Sequence, residues 1–266
     1  MKIVFYGAGN MASAIFTGMI HKGIVSAKDI YITSKSNRIT AMAFKESLGL
    51  NVSYDDKELC EDADYIVLAS KPQNFSDVAD RIRPHLTEKT KLVSVMAGIR
   101  IETVQEEFAT GNPVARIMPN TNAMVQHSVN GIAFSDNFLE REELIKLMAS
   151  FGKNVVVEED GMDNITAATG SGPAFLYYIY EQYANSLVEL GFSEEDAHEL
   201  TRELVIGTGK TLLNRDESFE RLRKDITSKA GTTEAGLDTL MEFKLQEMIF
   251  KTLGSARDRS KKLSER

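Results

Sequence analysis

A single cysteine, Cys60, stands among the 266 residues. This excludes an intrachain disulfide framework and any thiolate cluster for zinc. The histidines are as sparse: His21, His85, His127 and His198 are scattered, with no H-x-x-x-H pair and no adjacent carboxylate cluster, so no metal is expected. No apolar run approaches the roughly 20 residues of a membrane helix, and the first residues lack the apolar region and small-residue cleavage site of a secretory signal. The expectations are no membrane partner and a cytoplasmic location. An excess of basic charge is also missing, since 31 Lys and Arg stand against 39 Asp and Glu for a net charge of -8. That balance disfavours a nucleic-acid partner, which needs a basic surface to neutralise phosphates. Nor does the chain contain a Ser-His-Asp or Cys-His arrangement, a paired-carboxylate motif, or a Walker lysine after its glycines.

What is present begins at the first residue. Met1 to Ala14 reads MKIVFYGAGNMASA, an apolar strand running into glycines and then into small, helix-compatible residues. Gly7, Gly9 and Ala12 satisfy a G-x-G-x-x-G/A fingerprint: a tight turn, a close approach of pyrophosphate to the main chain, and a helix lying near its strand. The free N–H groups of a helix beginning near Asn10 would face the anion. A plain strand–turn–helix unit has the same appearance.

The next strand, expected at Ile30 to Thr33, bears on the cofactor. A site for the unphosphorylated dinucleotide places an Asp or Glu about 20 residues beyond the glycines, yet Ile30 through Lys45 contains no acid. Ser34, Lys35, Ser36, Asn37 and Arg38 supply hydroxyl, amide and cationic groups instead. This composition favours NADPH, with NADH as the alternative donor and a solvated loop as the non-functional reading. Further strands are expected at Asn51 to Ser53, Tyr65 to Ala69, Lys91 to Met96, Val114 to Met118, Val129 to Phe134 and Asn154 to Val157. Several end in loops that belong on one rim of a mostly parallel sheet.

Beyond Glu158 no β-rich run appears. Helices are expected from Pro173 to about Leu190, from a capping box at Ser193 to about Leu213, at Phe219 to Lys224, from about Thr233 to Leu240, and from Phe243 to Lys262. The expected fold class is α/β: an N-terminal Rossmann-like, doubly wound sheet over 1–158, then an all-helical domain over 159–266. The helical part has more apolar positions than a thin bundle covers, which points to a homodimer, with packing on its own sheet domain as the other reading. Ser228 to Thr233 combines hydroxyls and flexible backbone at a helix start, suited to a carboxylate or to a bare cap.

Six blocks along the whole chain resemble the pyrroline-5-carboxylate reductase family: GAGNMASA at Gly7 to Ala14, SKPQ at Ser70 to Gln73, SVMAGI at Ser94 to Ile99, RIMPNTNAMV at Arg116 to Val125, TGSGPAF at Thr169 to Phe175, and DITSKAGTTEAG at Asp225 to Gly236. The resemblance implies hydride transfer from NADPH to the C=N bond of 1-pyrroline-5-carboxylate, giving L-proline, by a homodimer or a ring of dimers. It implies that Tyr6, Gly7, Ala8, Gly9, Asn10 and Met11 surround the pyrophosphate and that Ser34 and Lys35 meet the 2'-phosphate. Asp56 falls at a ribose-facing position. Ala69, Ser70, Lys71 and Pro72, with Val95, Met96 and Ala97, fall at the ribose and nicotinamide, and Asn120 stands beside them. Ser228 and the amides of Gly231, Thr232 and Thr233 would clamp the substrate carboxylate. The Thr233 hydroxyl is the catalytic candidate at the ring nitrogen, and Glu159 and Asp225 fall near the substrate.

The chain departs from the family pattern in three places. Lys229-Ala230 replaces the usual Pro-Gly, Asp56 the common asparagine, and Asn122 a proline. Two other readings stay open. A β-hydroxyacid dehydrogenase would want a lysine on the helix after a G-x-x-G segment, and Thr169 to Tyr177 has none. A non-catalytic NADPH sensor or scaffold is kept in view by Lys229-Ala230.

Overall fold

The structure is a computed structural model that describes residues 1–35 and 37–264. Ser36, one of the expected polar donors, lies outside the described residues. In chain order the first elements are β1 (Ile3–Tyr6), α1 (Asn10–His21), β2 (Ile30–Thr33), α2 (Arg38–Leu48), β3 (Asn51–Val52), α3 (Asp56–Cys60), β4 (Tyr65–Leu68), α4 (Phe75–Ile82), β5 (Lys91–Ser94), α5 (Ile101–Phe108), β6 (Val114–Met118), β7 (Ser128–Phe134), α6 (Arg141–Met148) and β8 (Gly152–Val156). Among the described residues these strands form one sheet in the order β3-β2-β1-β4-β5-β6-β7-β8.

Neighbouring strands run parallel except β6 and β7, which pair antiparallel with Ile117 opposite Ile132. The short connection Pro119–His127 reverses the chain there, whereas a parallel return needs a longer crossover. Strand alternation builds a core on each face. Ile3 and Phe5 pack with Ile15 and Phe16 of α1 on one side; Val4 and Tyr6 pack with Leu59, Val78 and Val104 from α3, α4 and α5 on the other. Burial on both faces explains the continuous apolar runs of the central strands.

Strands β4 and β5 end at Leu68 and Ser94, short of the expected Ala69 and Met96. The chain leaves the ladder early at the rim where the loops form. Helix α2 is bounded as its residues dictate: the Asn37 side chain accepts from Thr40 N, and Gly49 closes the helix at φ 73°.

The remaining elements are α7 (Met162–Ile165), a π-helical turn at Thr166–Gly170, α8 (Gly172–Glu189), α9 (Glu194–Asn214), α10 (Phe219–Asp225), α11 (Thr232–Glu242) and α12 (Leu245–Ser264). Ser193 caps α9 by accepting from Asp196 N, as its capping box requires. The last helix starts at Leu245 rather than the expected Phe243, because Lys244 turns left-handed at φ 53° and breaks the helical run.

By compactness the chain divides into one unit of Met1–Pro173 with the chain from Ala256 on, and a second unit of Ala174–Ser255. This division differs from the expected boundary at 158/159. The residues just past Glu158 are tied to the sheet: Glu159 is bonded to Arg116 of β6, Met162 is fully buried in the core, and Asp163 accepts a buried 2.6 Å hydrogen bond from Ser260.

Candidate active site

In the first unit, β1 feeds into a turn that only glycine fits. Gly7 has φ 135°, and a Cβ there would collide with the main-chain carbonyl of Ala69 at the end of β4. Its N–H donates to Thr33 O at 2.9 Å, tying together the ends of β1 and β2. Gly9 differs in kind: it is extended at φ -82°, and a Cβ there would meet nothing within 4 Å. The first glycine is therefore demanded by protein packing, and the second leaves space open before α1. No side chain caps α1, so its first N–H groups keep the partial positive charge of a free helix start.

A cleft of about 360 Å³ opens at this turn. Of the residues expected at the cofactor, Tyr6, Gly7, Ala8, Gly9, Ser34, Lys35, Ala69, Ser70 and Lys71 line it. Asn10 and Met11 form the first turn of α1, and Pro72 opens the turn after Lys71. Beyond β5, Val95 N donates to Leu68 O at 3.1 Å and Met96 is buried, with its sulfur 3.8 Å from the Ser70 hydroxyl. The SKPQ and SVMAGI loops thus meet at one rim. Thr33, Asn37, Asn74, Asp77, Val78 and Arg81 also line the cleft. Asn37 is one of the donors expected after β2; Asn74, Asp77, Val78 and Arg81 reach the cleft from the turn and helix after β4, and no local motif announces them.

Three expected residues are engaged elsewhere. The Asp56 carboxylate does not line the cleft: Arg81 binds it through Nε at 2.8 Å and Nη2 at 2.6 Å, and the Tyr6 hydroxyl donates to it at 3.2 Å. Asn120 is buried, donating to Thr169 O at 3.0 Å and accepting from Asn122 N at 3.0 Å, so its amide ties the M-P-N-T loop to the π-helical turn. Glu159 accepts from Arg116 Nη1 at 2.7 Å and lies near Arg100, where it neutralises a guanidinium that is almost wholly inside the sheet.

Beneath the cleft, burial followed by the neighbouring Cys60 and Asp56 pushes the Tyr6 phenol far above its ordinary range, keeping it a neutral donor. Burial also raises the Cys60 thiol to about 11. A reactive thiolate needs the opposite shift. Among the described residues no group of three His, Cys, Asp or Glu side chains is placed to hold a metal ion.

In the second unit, the signature stretch forms the turn between α10 and α11. Gly231 N donates to Ser228 O at 3.1 Å, and a Cβ at Gly231 would strike the Ser228 hydroxyl. Gly231 precedes α11 without a side-chain cap, leaving Thr232 and Thr233 in an exposed first turn. Ser228, Gly231, Thr232 and Thr233 are thereby gathered at one free helix start, a place for an anion. Ala230 is left-handed at φ 58°, and its N–H donates to Glu234 Oε2 at 2.6 Å. Asp225 is held by Arg215 Nη2 and Arg221 Nε, each at 2.9 Å.

Comparison with known proteins reaches both units. Residues 159–263 match a family model described as pyrroline-5-carboxylate reductase dimerisation, and residues 2–98 match one described as NADP oxidoreductase, coenzyme F420-dependent. A pyrroline-5-carboxylate reductase of Staphylococcus aureus is 51% identical over 266 residues, covering 99% of this chain and 98% of that one. Among solved structures, a pyrroline-5-carboxylate reductase from Coxiella burnetii superposes with a TM-score of 0.93 at 30% identity, over 99% of this chain and 98% of the other. The pyrroline carboxylate reductase of Plasmodium falciparum, solved with NADP bound, gives a TM-score of 0.82 at 26% identity over 99% and 98% of the two chains.

Proposed function

The chain belongs to the pyrroline-5-carboxylate reductase family, and from that premise we propose that it reduces the C=N bond of 1-pyrroline-5-carboxylate with NADPH to give L-proline, the last step of proline biosynthesis. Full-length similarity carries the reading, and the open space at Gly9 before an uncapped helix supports it, because that is the cradle a dinucleotide pyrophosphate needs. When bound, NADPH supplies the hydride. The chain's own residues bind and orient. Main-chain N–H groups from Ala8 to Met11 hold the pyrophosphate; Ser34 and Lys35 hold the 2'-phosphate; Ser70 and the loop Val95 to Ala97 position the nicotinamide end.

On the substrate side, Ser228 and the amides of Gly231, Thr232 and Thr233 hold the carboxylate. Thr233 orients the proton at the ring nitrogen. A protonated iminium is already electrophilic, so positioning matters more here than a strong general acid. Glu159 and Asp225, each held by arginines, are the further residues that line the substrate site in this reading.

The working form is a homodimer, with a ring of dimers as the higher assembly. The dimerisation model over 159–263 supports self-association, as do the exposed apolar side chains of the second unit. A cytoplasmic location goes with this reading; among the described residues no helix is long and apolar enough to cross a membrane.

Steady-state oxidation of NADPH and NADH with 1-pyrroline-5-carboxylate, run beside a 3-oxo acid, tests substrate and cofactor together. Turnover of the imine alone, faster with NADPH, is the expected result. Turnover of the oxo acid alone would favour a β-hydroxyacid dehydrogenase, and none with either a non-catalytic NADPH-binding protein.

A further inference from the structure

The acid-free stretch after β2 offers Lys35 and Arg38 as cations for a 2'-phosphate, but the structure divides them. Lys35 lines the cleft, whereas the Arg38 guanidinium lies over the Tyr54 ring at 4.6 Å. The guanidinium that does line the cleft is Arg81, further along the fold on α4. Its side chain is only 19% exposed and is clamped through Nε and Nη2 by both oxygens of Asp56. Such a two-point clamp fixes the plane of the guanidinium and leaves Nη1 for other work.

Nη1 of Arg81 lies 3.7 Å from Asp77 Oδ2, and the same oxygen lies 3.5 Å from Lys35 Nζ. Both separations exceed the 2.7–2.9 Å of a strong charge-assisted bond, and the Lys35 and Asp77 side chains are more than half exposed. A carboxylate loosely shared by two cations at the edge of a dinucleotide cleft occupies the position of an anion without holding it tightly. We propose that Arg81 completes the 2'-phosphate subsite alongside Ser34 and Lys35, that Asp56 is the positioning residue which aims Arg81, and that Asp77 is the anion which the 2'-phosphate displaces.

This subsite rests on the NADPH reading and explains how an acid comes to stand at position 56. A free carboxylate there would favour a ribose 2'-hydroxyl and repel a 2'-phosphate. Spent on Arg81, it has the reverse effect, presenting a cation to the cleft.

The test is calorimetric titration of the full-length protein with adenosine 2',5'-bisphosphate and with 5'-AMP, which differ only in the 2'-phosphate. Arg81→Gln is expected to weaken the bisphosphate about 10- to 30-fold and 5'-AMP less than twofold, the scale of one charge-assisted contact. Arg81→Lys should recover part of the loss. Asp56→Asn should weaken the bisphosphate about three- to tenfold, and Asp77→Asn should tighten it about two- to fivefold, the scale of a partly exposed charge. The double variant Arg81→Gln/Asp56→Asn removes both half-buried charges together, so a loss there cannot be assigned to an unpaired carboxylate. Equal losses for both nucleotides, or no change in any variant, would overturn the subsite. Because no imine is present, the outcome is independent of the reductase reading: 2'-phosphate discrimination can survive even if 1-pyrroline-5-carboxylate is never turned over.

Discussion

In the first unit, β1, β4, β5 and β6 bury nearly every apolar side chain, with Val4, Phe5, Ile66, Val93 and Ile117 at 0% exposure. In the second unit, α8 alone leaves Leu176, Tyr177, Tyr178 and Ile179 between 45% and 63% exposed, and α9 and α12 add Leu204, Leu213, Ile249 and Phe250. A sheet with helices on both faces closes its own core. Helices that leave such apolar side chains outward call for another surface to cover them, because apolar patches of that extent rarely face water. The cradle residues Gly7 to Met11 lie in the unit that closes its own core, whereas Ser228 to Thr233 lie in the unit whose apolar side chains stay exposed. The proposed homodimer therefore predicts nucleotide binding by the monomer and turnover by the assembly.

The largest effect that would sharpen this contrast lies at Gly7. Gly7→Ala forces a Cβ onto the Ala69 carbonyl at a φ of 135°, and nucleotide affinity measured by fluorescence titration should fall by about 100-fold or more, with a stability loss of roughly 3 kcal/mol. Retained affinity would mean that the cradle is not self-built.

On the other side of the comparison, Thr233→Ala should lower kcat/KM for the imine by about one to three orders of magnitude, as for one transition-state donor. The NADPH dissociation constant should not change. Unaltered steady-state kinetics would remove Thr233 from the mechanism.

Leu204→Glu with Ile249→Glu should weaken self-association by about 30-fold or more in analytical ultracentrifugation. Turnover should fall with the dimer population, while adenosine 2',5'-bisphosphate binding persists. A monomer as active as the dimer would break the division of labour between the units.

A smaller effect belongs to the closed core. Cys60 has its folded pKa raised above the ordinary 9.0 to about 11 by burial, so the contribution of its neutral thiol is complete below pH 9 and is lost as pH rises through 11. Urea denaturation between pH 9 and 11 should therefore show a pH slope that Cys60→Ala makes shallower by up to about one proton.

The smallest effect belongs to the signature loop. Ala230 holds a left-handed φ of 58°, where a Cβ costs about 1 kcal/mol. Ala230→Gly should raise stability by about 1 kcal/mol or less, after the extra freedom it gives the unfolded chain. Thermal melts provide the readout, with kcat/KM as the check that the carboxylate loop is unharmed.

Much of the fold is legible locally. The bounds of α1, β2, α2 and β6 coincide with their apolar periods, and those of α2 also with its caps Asn37 and Gly49, because those signals lie within a few residues. The ligand rim is legible too, since glycine and proline end strands for reasons of backbone geometry. The pairings Asp56–Arg81, Asn120–Thr169 and Glu159–Arg116 were not readable, because they join residues 25, 49 and 43 positions apart. Arg38 and Arg81 show the same limit: both are arginines on helices, and only packing turns one onto Tyr54 and the other into the cleft.

By itself, the sequence determined the strand–glycine–helix cradle, the alternation of strands and helices, the helical end of the chain and the family. These depend on backbone conformation and on side-chain periods written in consecutive residues. The tertiary structure decided which charges are free and which are spent. It placed the acid of position 56 on Arg81 and the amide of Asn120 on a main-chain carbonyl, because the energy of a charge or an amide depends on what long-range pairing brings beside it.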